Sequence, residues 1–352
     1  GLAGKKHVSP GSSFPFVPVK GLLAGDGVRR FMTQDEQQPF CLFLCSHNGH
    51  APWTTGDSGQ FDQSEITLAP TQHDNPQTRE VMSRYLAEVE DLDREVGEIL
   101  DLLDETGQRE NTLVMFSSEQ GWALGFAKWT NWDLGVHTSL VARWPGKIKA
   151  GRVSNALIHM ADIVPTLRAV AGAERKPALF DGRSFYRHLL GRKQPMRKYV
   201  YGVHNNVPEG NPYPIRSVRD NAFHYINNLT PEVPYHEKHV MVKDSRLIWW
   251  PALKEAEAKN DTRAITLLKK FHARPAEELY KVDEDPYETN NLAADPSYAA
   301  IKARLHAELT RWMNQQNDPG AALDSASAYA ANRAAGGKKN QSGKKKKQPP
   351  KK

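Results

Sequence analysis

The sequence predicts an α/β protein in two units. A larger unit with a largely parallel sheet spans residues 1–195, and a smaller α+β unit with an antiparallel sheet spans residues 196–325. Three observations carry this. Apolar runs that read as strands alternate with helical periodicities up to about residue 172. From about residue 195 the texture changes to short strand candidates. At 352 residues, 39% hydrophobic and 25% charged, the chain can bury the core of a soluble globular protein.

The elements follow in order. Residues 39–46, PFCLFLCS, read as a buried strand opening into the His-, Gly- and Pro-rich loop SHNGHAPWTTGD. From roughly Thr78 to Glu105, Tyr85, Val89, Leu92, Val96, Ile99 and Leu103 recur every three or four residues, which predicts a helix closed by Gly107. Thr112–Phe116 reads as a strand, and so does Ser139–Trp144, ended by Pro145-Gly146. Asp162–Gly172 reads as a helix with an acid at its start and glycine at its end. Tyr199–His204, Ile215–Arg219, Ala222–Asn227 and Glu278–Val282 are the later strand candidates, before a helix from about Pro296 to Asn314.

Cysteine and charge add limits. Cys41 and Cys45 lie about 13 Å apart along one strand, too far to bridge, so two buried free thiols are expected. The net charge of +6 is a property of the C-terminus: the last 22 residues hold eight Lys, one Arg and no acid, and the remainder stands at −3. The Gly, Ser, Gln and Pro content of residues 326–352 predicts a disordered tail, for binding polyanions or, more simply, for solubility. Nucleic acid is not the expected partner. No run approaches the ~20 apolar residues of a membrane span. Gly1-Leu-Ala-Gly carries no initiator Met, basic n-region or apolar core of a signal peptide.

Chemistry is expected beyond the carboxyl ends of the strands. One strand end releases His47 and His50. Another, in TLVMFSSEQG, releases Glu119 and Gln120, two oxygen donors of the kind hard cations prefer, or a plain polar turn. Lys128, flanked by aromatic residues in GFAKWTNWD, could hold an anion as a point charge or lie over the rings as a surface lysine. Lys5 and His7 are two apart, on one side of an extended segment, and could hold and protonate an anionic group.

The order of these stretches matters more than any one of them. GKKHV, the strand into HNGHAPW, the helix running into TLVMFSSEQG, then KW, ARWPGKIKAG, DIVPTL and ELYKVDEDPYETNNLA together resemble the sulfatase family over most of residues 1–315. GKKHV followed by FPF, YPIRSVRDNAFHYINNL and the DPYETNNLA close look nearest to its heparan N-sulfatase branch.

The resemblance implies an alkaline-phosphatase-like α/β fold and hydrolysis of sulfate esters or sulfamates on sulfated saccharides. It implies that Lys5 and His7 contact the sulfate and the nucleophile. It makes His50 a sulfate contact or the leaving-group acid, and Lys128 a further sulfate ligand. Glu119 and Gln120 fall where the family has Asp followed by Asn or His, the last two ligands of a calcium ion. The extra methylene in each is better tolerated by calcium than by magnesium. The family's nucleophile is a formylglycine, made by a formylglycine-generating enzyme from a Cys/Ser-x-Pro-x-Arg motif. That motif and the paired aspartates that complete the metal shell are absent from this sequence. The chain therefore reads as truncated at the N-terminus and inactive alone. An exported location, periplasmic, extracellular or lysosomal, is implied by the resemblance only. A non-catalytic glycan-binding relative and a phosphoryl-transfer relative of the same fold remain the alternatives.

Overall fold

The computed structural model describes residues 1–8, 11–35, 37–173, 179–241, 248–331 and 333–334. Strand β1 (Leu2–Gly4) pairs in parallel with β2 (Phe43–Cys45), in the register Leu2↔Phe43 to Gly4↔Cys45. A parallel pair needs a crossover, and helix α1 (Asp26–Thr33) supplies it. Val28 and Met32 of α1 are buried in one cluster with Ala3 and with Leu102 and Leu103 of the next helix.

That helix, α2, runs from Pro76 to Glu105. Asn75 caps it by accepting from the Thr78 amide, with Pro76 in the first turn, where a missing N–H costs nothing. Thr106 follows, then Gly107 at φ +68°, the expected stop. Only Leu103 of the predicted apolar stripe is fully buried; Val81, Met82, Ala87 and the acid Glu88 are buried instead.

Strands β3 (Val114–Ser117) and β4 (Leu140–Arg143) form their own antiparallel pair. The 22 residues between them hold only the four-residue helix α3 (Asp133–Val136) and fold straight back, so β4 returns against β3. Parallel pairing among the described residues is therefore that of β1 and β2, with an isolated parallel bridge from Leu2 to Pro18. Helices α4 (Ile163–Val170) and α5 (Tyr186–Leu189) follow.

The later half is a four-stranded antiparallel sheet, β5 (Val200–His204), β6 (Ile215–Arg219), β7 (Phe223–Asn228) and β8 (Glu277–Lys281), in that order. Between β7 and β8 lie α6 (Trp249–Ala258) and α7 (Thr262–His272), helices not anticipated from the sequence. After β8 comes α8 (Ala299–Gln315). The two-residue period of the strands sorts the faces. Ile215, Ile226 and Tyr280 join Trp249, Leu267 and Phe271 of α6 and α7 in one core, while Val218, Tyr225 and Leu279 pack with Leu305 and Leu309 of α8. The first core also takes in Trp53, Val81, Phe126 and Trp132, so the sheet packs directly against the N-terminal half.

Two expectations need correction or limit. Cys41 and Cys45 are free, as expected, but Cys41 is exposed and Cys45 half-buried. The strand is three residues long and Cys41 precedes it, outside the packed stretch. The backbone is helical at 326–331, and the lysine-rich residues 335–352 lie outside the described residues.

Candidate active site

Because β1 and β2 run parallel, both release their chains at the same edge. The Lys5 amide still bonds the Cys45 carbonyl at 2.8 Å, which carries the pairing one residue past β1. Gly4, at φ +77°, makes this possible, since a Cβ there would collide with the Cys45 carbonyl oxygen.

The loop after β2 is tied to α2 by two buried or half-buried acids. Glu88 accepts from the amides of Gly49 and Thr54, both at 3.0 Å. Glu95, seven residues on and so on the same face, accepts from the Ser46 hydroxyl at 2.5 Å. In this loop the exposed His50 has Nδ1 2.6 Å from the carbonyl oxygen of Ala51. A carbonyl only accepts, so Nδ1 carries the proton and Nε2 is left for chemistry.

Lys128 lies within a turn that has a non-glycine residue in the left-handed region on either side of it, Phe126 at φ 67° and Trp129 at φ 66°. The turn is held on every side. Phe126 is buried, its ring 5.1 Å from that of Trp132 and 5.1 Å from that of Phe271. The Lys128 amide donates to the Trp122 carbonyl at 3.1 Å. The Tyr235 hydroxyl donates to the Trp129 carbonyl at 2.8 Å. The Trp129 ring stacks on His239 with centroids 4.9 Å apart, and the Lys128 Nζ lies 4.5 Å over the same indole. His239 is paired with Glu209 at 2.6 Å. Beside it Glu237, fully buried, accepts from the amides of His239 and Val240.

The electrostatics show which side chains share a field. Burial pulls the Lys128 ammonium below the ordinary lysine range and Lys5 pulls it further, while Glu119 and Glu237 oppose them. Burial and Glu119 together push the Cys45 thiol up. The Lys5 amide is held at the end of β2 by Cys45, and Glu119 and Lys128, from the end of β3 and the following turn, lie within electrostatic reach of the same region. Glu119 is exposed and Gln120 half-buried, and neither side chain has a partner among the described residues. His7 is exposed after β1, and among the described residues neither it nor His50 forms a hydrogen bond or ion pair with Lys5, Glu119 or Lys128.

Two other sets of side chains gather potential metal-ligand atoms within 4.8 Å: Asp133, His224 and Glu288, and Glu209, Glu237 and His239. Internal hydrogen bonds already engage both sets. His224 Nδ1 lies 2.5 Å from Glu288, whose other oxygen accepts from the Asp133 amide at 2.6 Å. Sequence reasoning missed Glu88, Glu95, Tyr235 and His239. On a helix rich in acids nothing marks Glu88 as the buried one.

The chain matches two family models, "Sulfatase" over residues 24–173 and "N-sulphoglucosamine sulphohydrolase, C-terminal" over residues 118–237. It is 31% identical to an ulvan-active sulfatase of Formosa agariphila, over 90% of this chain and 62% of that protein. It is 25% identical to the human N-sulphoglucosamine sulphohydrolase, over 91% of this chain and 72% of that one. Among solved structures, a sulfatase of Bacteroides fragilis superposes with a TM-score of 0.55 at 18% identity, covering 86% of this chain and 60% of that one. A phosphonate monoester hydrolase of Agrobacterium radiobacter gives 0.58 at 19%, covering 82% and 59%. The chain thus spans between 59% and 72% of the length of these proteins. With the strand-end cluster in place and both models matching in sequence, the chain belongs to the sulfatase family and has its α/β, alkaline-phosphatase-like fold.

Proposed function

We propose that this protein hydrolyses sulfate esters or sulfamates of sulfated saccharides. The observation that carries the reading is the cluster of Lys5, Glu119 and Lys128 at the strand ends, in a chain of the sulfatase family. Lys5 lies near enough to Lys128 for their charges to repel, so one anionic group would answer both. Part of the Lys128 hydration is already removed by burial, so its charge acts on an anion at lower dielectric. His7, two residues beyond Lys5, adds an imidazole to the same edge. His50, with Nδ1 occupied by the Ala51 carbonyl, offers Nε2–H in its imidazolium form to the departing oxygen or nitrogen.

Glu119 and Gln120 are the residues that would hold a calcium ion, as two of its six to eight oxygen ligands. When present, that ion and a formylglycine supply charge neutralisation and the nucleophile. The chain contains no Cys/Ser-x-Pro-x-Arg motif from which the latter is made. A formylglycine-generating enzyme is then a partner of the complete protein, and an exported location accords with the family.

The test is release of inorganic sulfate from N-sulfoglucosamine and from O-sulfated oligosaccharides by the product of the complete reading frame. Release is expected, with a fall of about a hundredfold or more for Lys128→Ala and for His50→Ala. Release of phosphate or phosphonate but of no sulfate would overturn the reading in favour of phosphoryl transfer. Saccharide binding with no turnover would favour the non-catalytic relative.

A further inference from the structure

Away from the strand-end cluster, two segments stand out for what they lack. Residues 144–160 and 182–198 contain no carboxylate and together carry nine Lys and Arg. They are joined in space. Leu157 and Arg197 form an isolated antiparallel bridge. Arg152 donates to the carbonyls of His188 and Leu189 at the end of α5, and Ser154 bonds the His188 Nε2 at 2.8 Å. Between the segments lies an open cavity of about 600 Å³, lined by Arg152, His188, Arg192, Lys193, Gln194 and Met196 among others.

The charges here are not spent on neighbours. Of the nine cations, Arg197 is neutralised by Asp162, at 2.8 Å from Nε to Oδ2. Arg192 and Lys193 are exposed at the rim and make no ion pair among the described residues. The Arg152 guanidinium is fixed by its carbonyl bonds, so little freedom remains to be lost when an anion arrives. Burial and Arg152 hold the His188 imidazole below its usual range, which leaves it a neutral hydrogen-bonding group on the wall. Met196 and Pro195 add apolar surface between the polar groups. Exposed cations, a neutral imidazole and two apolar side chains lining one cavity suit a sugar ring bearing sulfates. A lone inorganic anion would leave most of the volume unused.

We propose that this cavity is a second saccharide site, which holds a sulfated stretch of chain at a distance from the group being cleaved. It rests on the sulfated-saccharide reading above for its ligand class, but its test needs no turnover.

The test is fluorescence anisotropy of a labelled heparin octasaccharide with the full 352-residue chain, at low and at physiological salt. Arg192→Glu with Lys193→Glu should weaken binding about tenfold or more, because two charge-assisted contacts are reversed. Arg192→Ser with Lys193→Ser should fall between that variant and the parent, with far-UV circular dichroism confirming that all remain folded. Lys344→Glu with Lys345→Glu makes the same charge change in the C-terminal tail and should leave binding within about threefold. Equal losses in cavity and tail variants would reduce the effect to net charge and overturn the proposal. So would a loss confined to the tail variant, or a DNA duplex of matched charge competing as well as the saccharide. If Lys128→Ala abolishes binding and the cavity variants do not, the strand-end cluster is the one site, and the sulfatase reading stands without this addition. If the cavity variants lose binding but the complete protein releases no sulfate, the cavity stands and the catalytic reading falls.

Discussion

Lys128 owes its electrostatic state to neighbours that the sequence places far away. Burial and Lys5 lower its pKa, and a bound sulfate would raise it again. Anion affinity is therefore expected to hold at neutral pH and to fall as pH rises through the lowered pKa, earlier than for an ordinary lysine near about 10.4. Calorimetric titration with sulfate across that range checks it. Lys128→Arg, which keeps its proton, should remove the alkaline loss. At the same scale, Gly4→Ala should cost about 2–3 kcal/mol in urea unfolding, from a left-handed φ combined with a collision at Cys45. Lys5, Lys128 and Glu119 were legible as candidates because strand ends are where an α/β sheet displays chemistry. Their mutual proximity was not, because it depends on the pairing of β1 with β2.

At the scale of elements, most strands and helices lie within a few residues of where periodicity and caps put them. Helix α2 begins two residues early because Pro76 and the Asn75 cap extend its first turn. Helix α6 escaped notice because Trp249-Trp250-Pro251 opens on aromatic residues and a proline rather than on a polar cap, whereas α7 was missed although Asp261 caps it by accepting from the Ala264 amide. Strand direction was the harder matter: nothing local in Ser139–Trp144 says whether β4 runs with β3 or against it. The bond from Glu88 to the 46–55 loop makes a checkable case. Glu88→Ala leaves the amides of Gly49, Thr54 and Thr55 without this acceptor and should cost about 2 kcal/mol or more. It should also speed hydrogen exchange at Gly49 and Thr54 while that of the α2 interior stays slow.

Across the whole molecule, one buried network joins the halves. Asp133, beside the Lys128 turn, faces Arg219 at 3.0 Å, His137 at 3.3 Å and His224 at 3.9 Å, and His224 pairs with Glu288. Burial opposes the His224 charge, but Glu288 and Asp133 outweigh it and raise its pKa. A raised histidine contributes stability that is fully present below its unfolded pKa and is lost as pH rises through the folded value. Thermal stability should therefore decline on the alkaline side of neutrality. Glu288→Gln should flatten that decline and cost about 3–5 kcal/mol below it, because the buried imidazolium loses its counter-ion. No reading of the sequence pairs Asp133 with Glu288, 155 residues away. Only the seating of the antiparallel sheet against the N-terminal half brings them together.

The stack of Trp129 on His239 has an optical consequence. The stack fixes the indole in one polar setting, so its emission reports that setting. The indole also underlies the Lys128 ammonium, so an anion arriving there should shift its spectrum. Subtracting the emission of a Trp129→Phe variant would isolate this one ring from the other seven tryptophans. The protein would then report the filling of its own strand-end cluster by light, without a label and before any bond is broken.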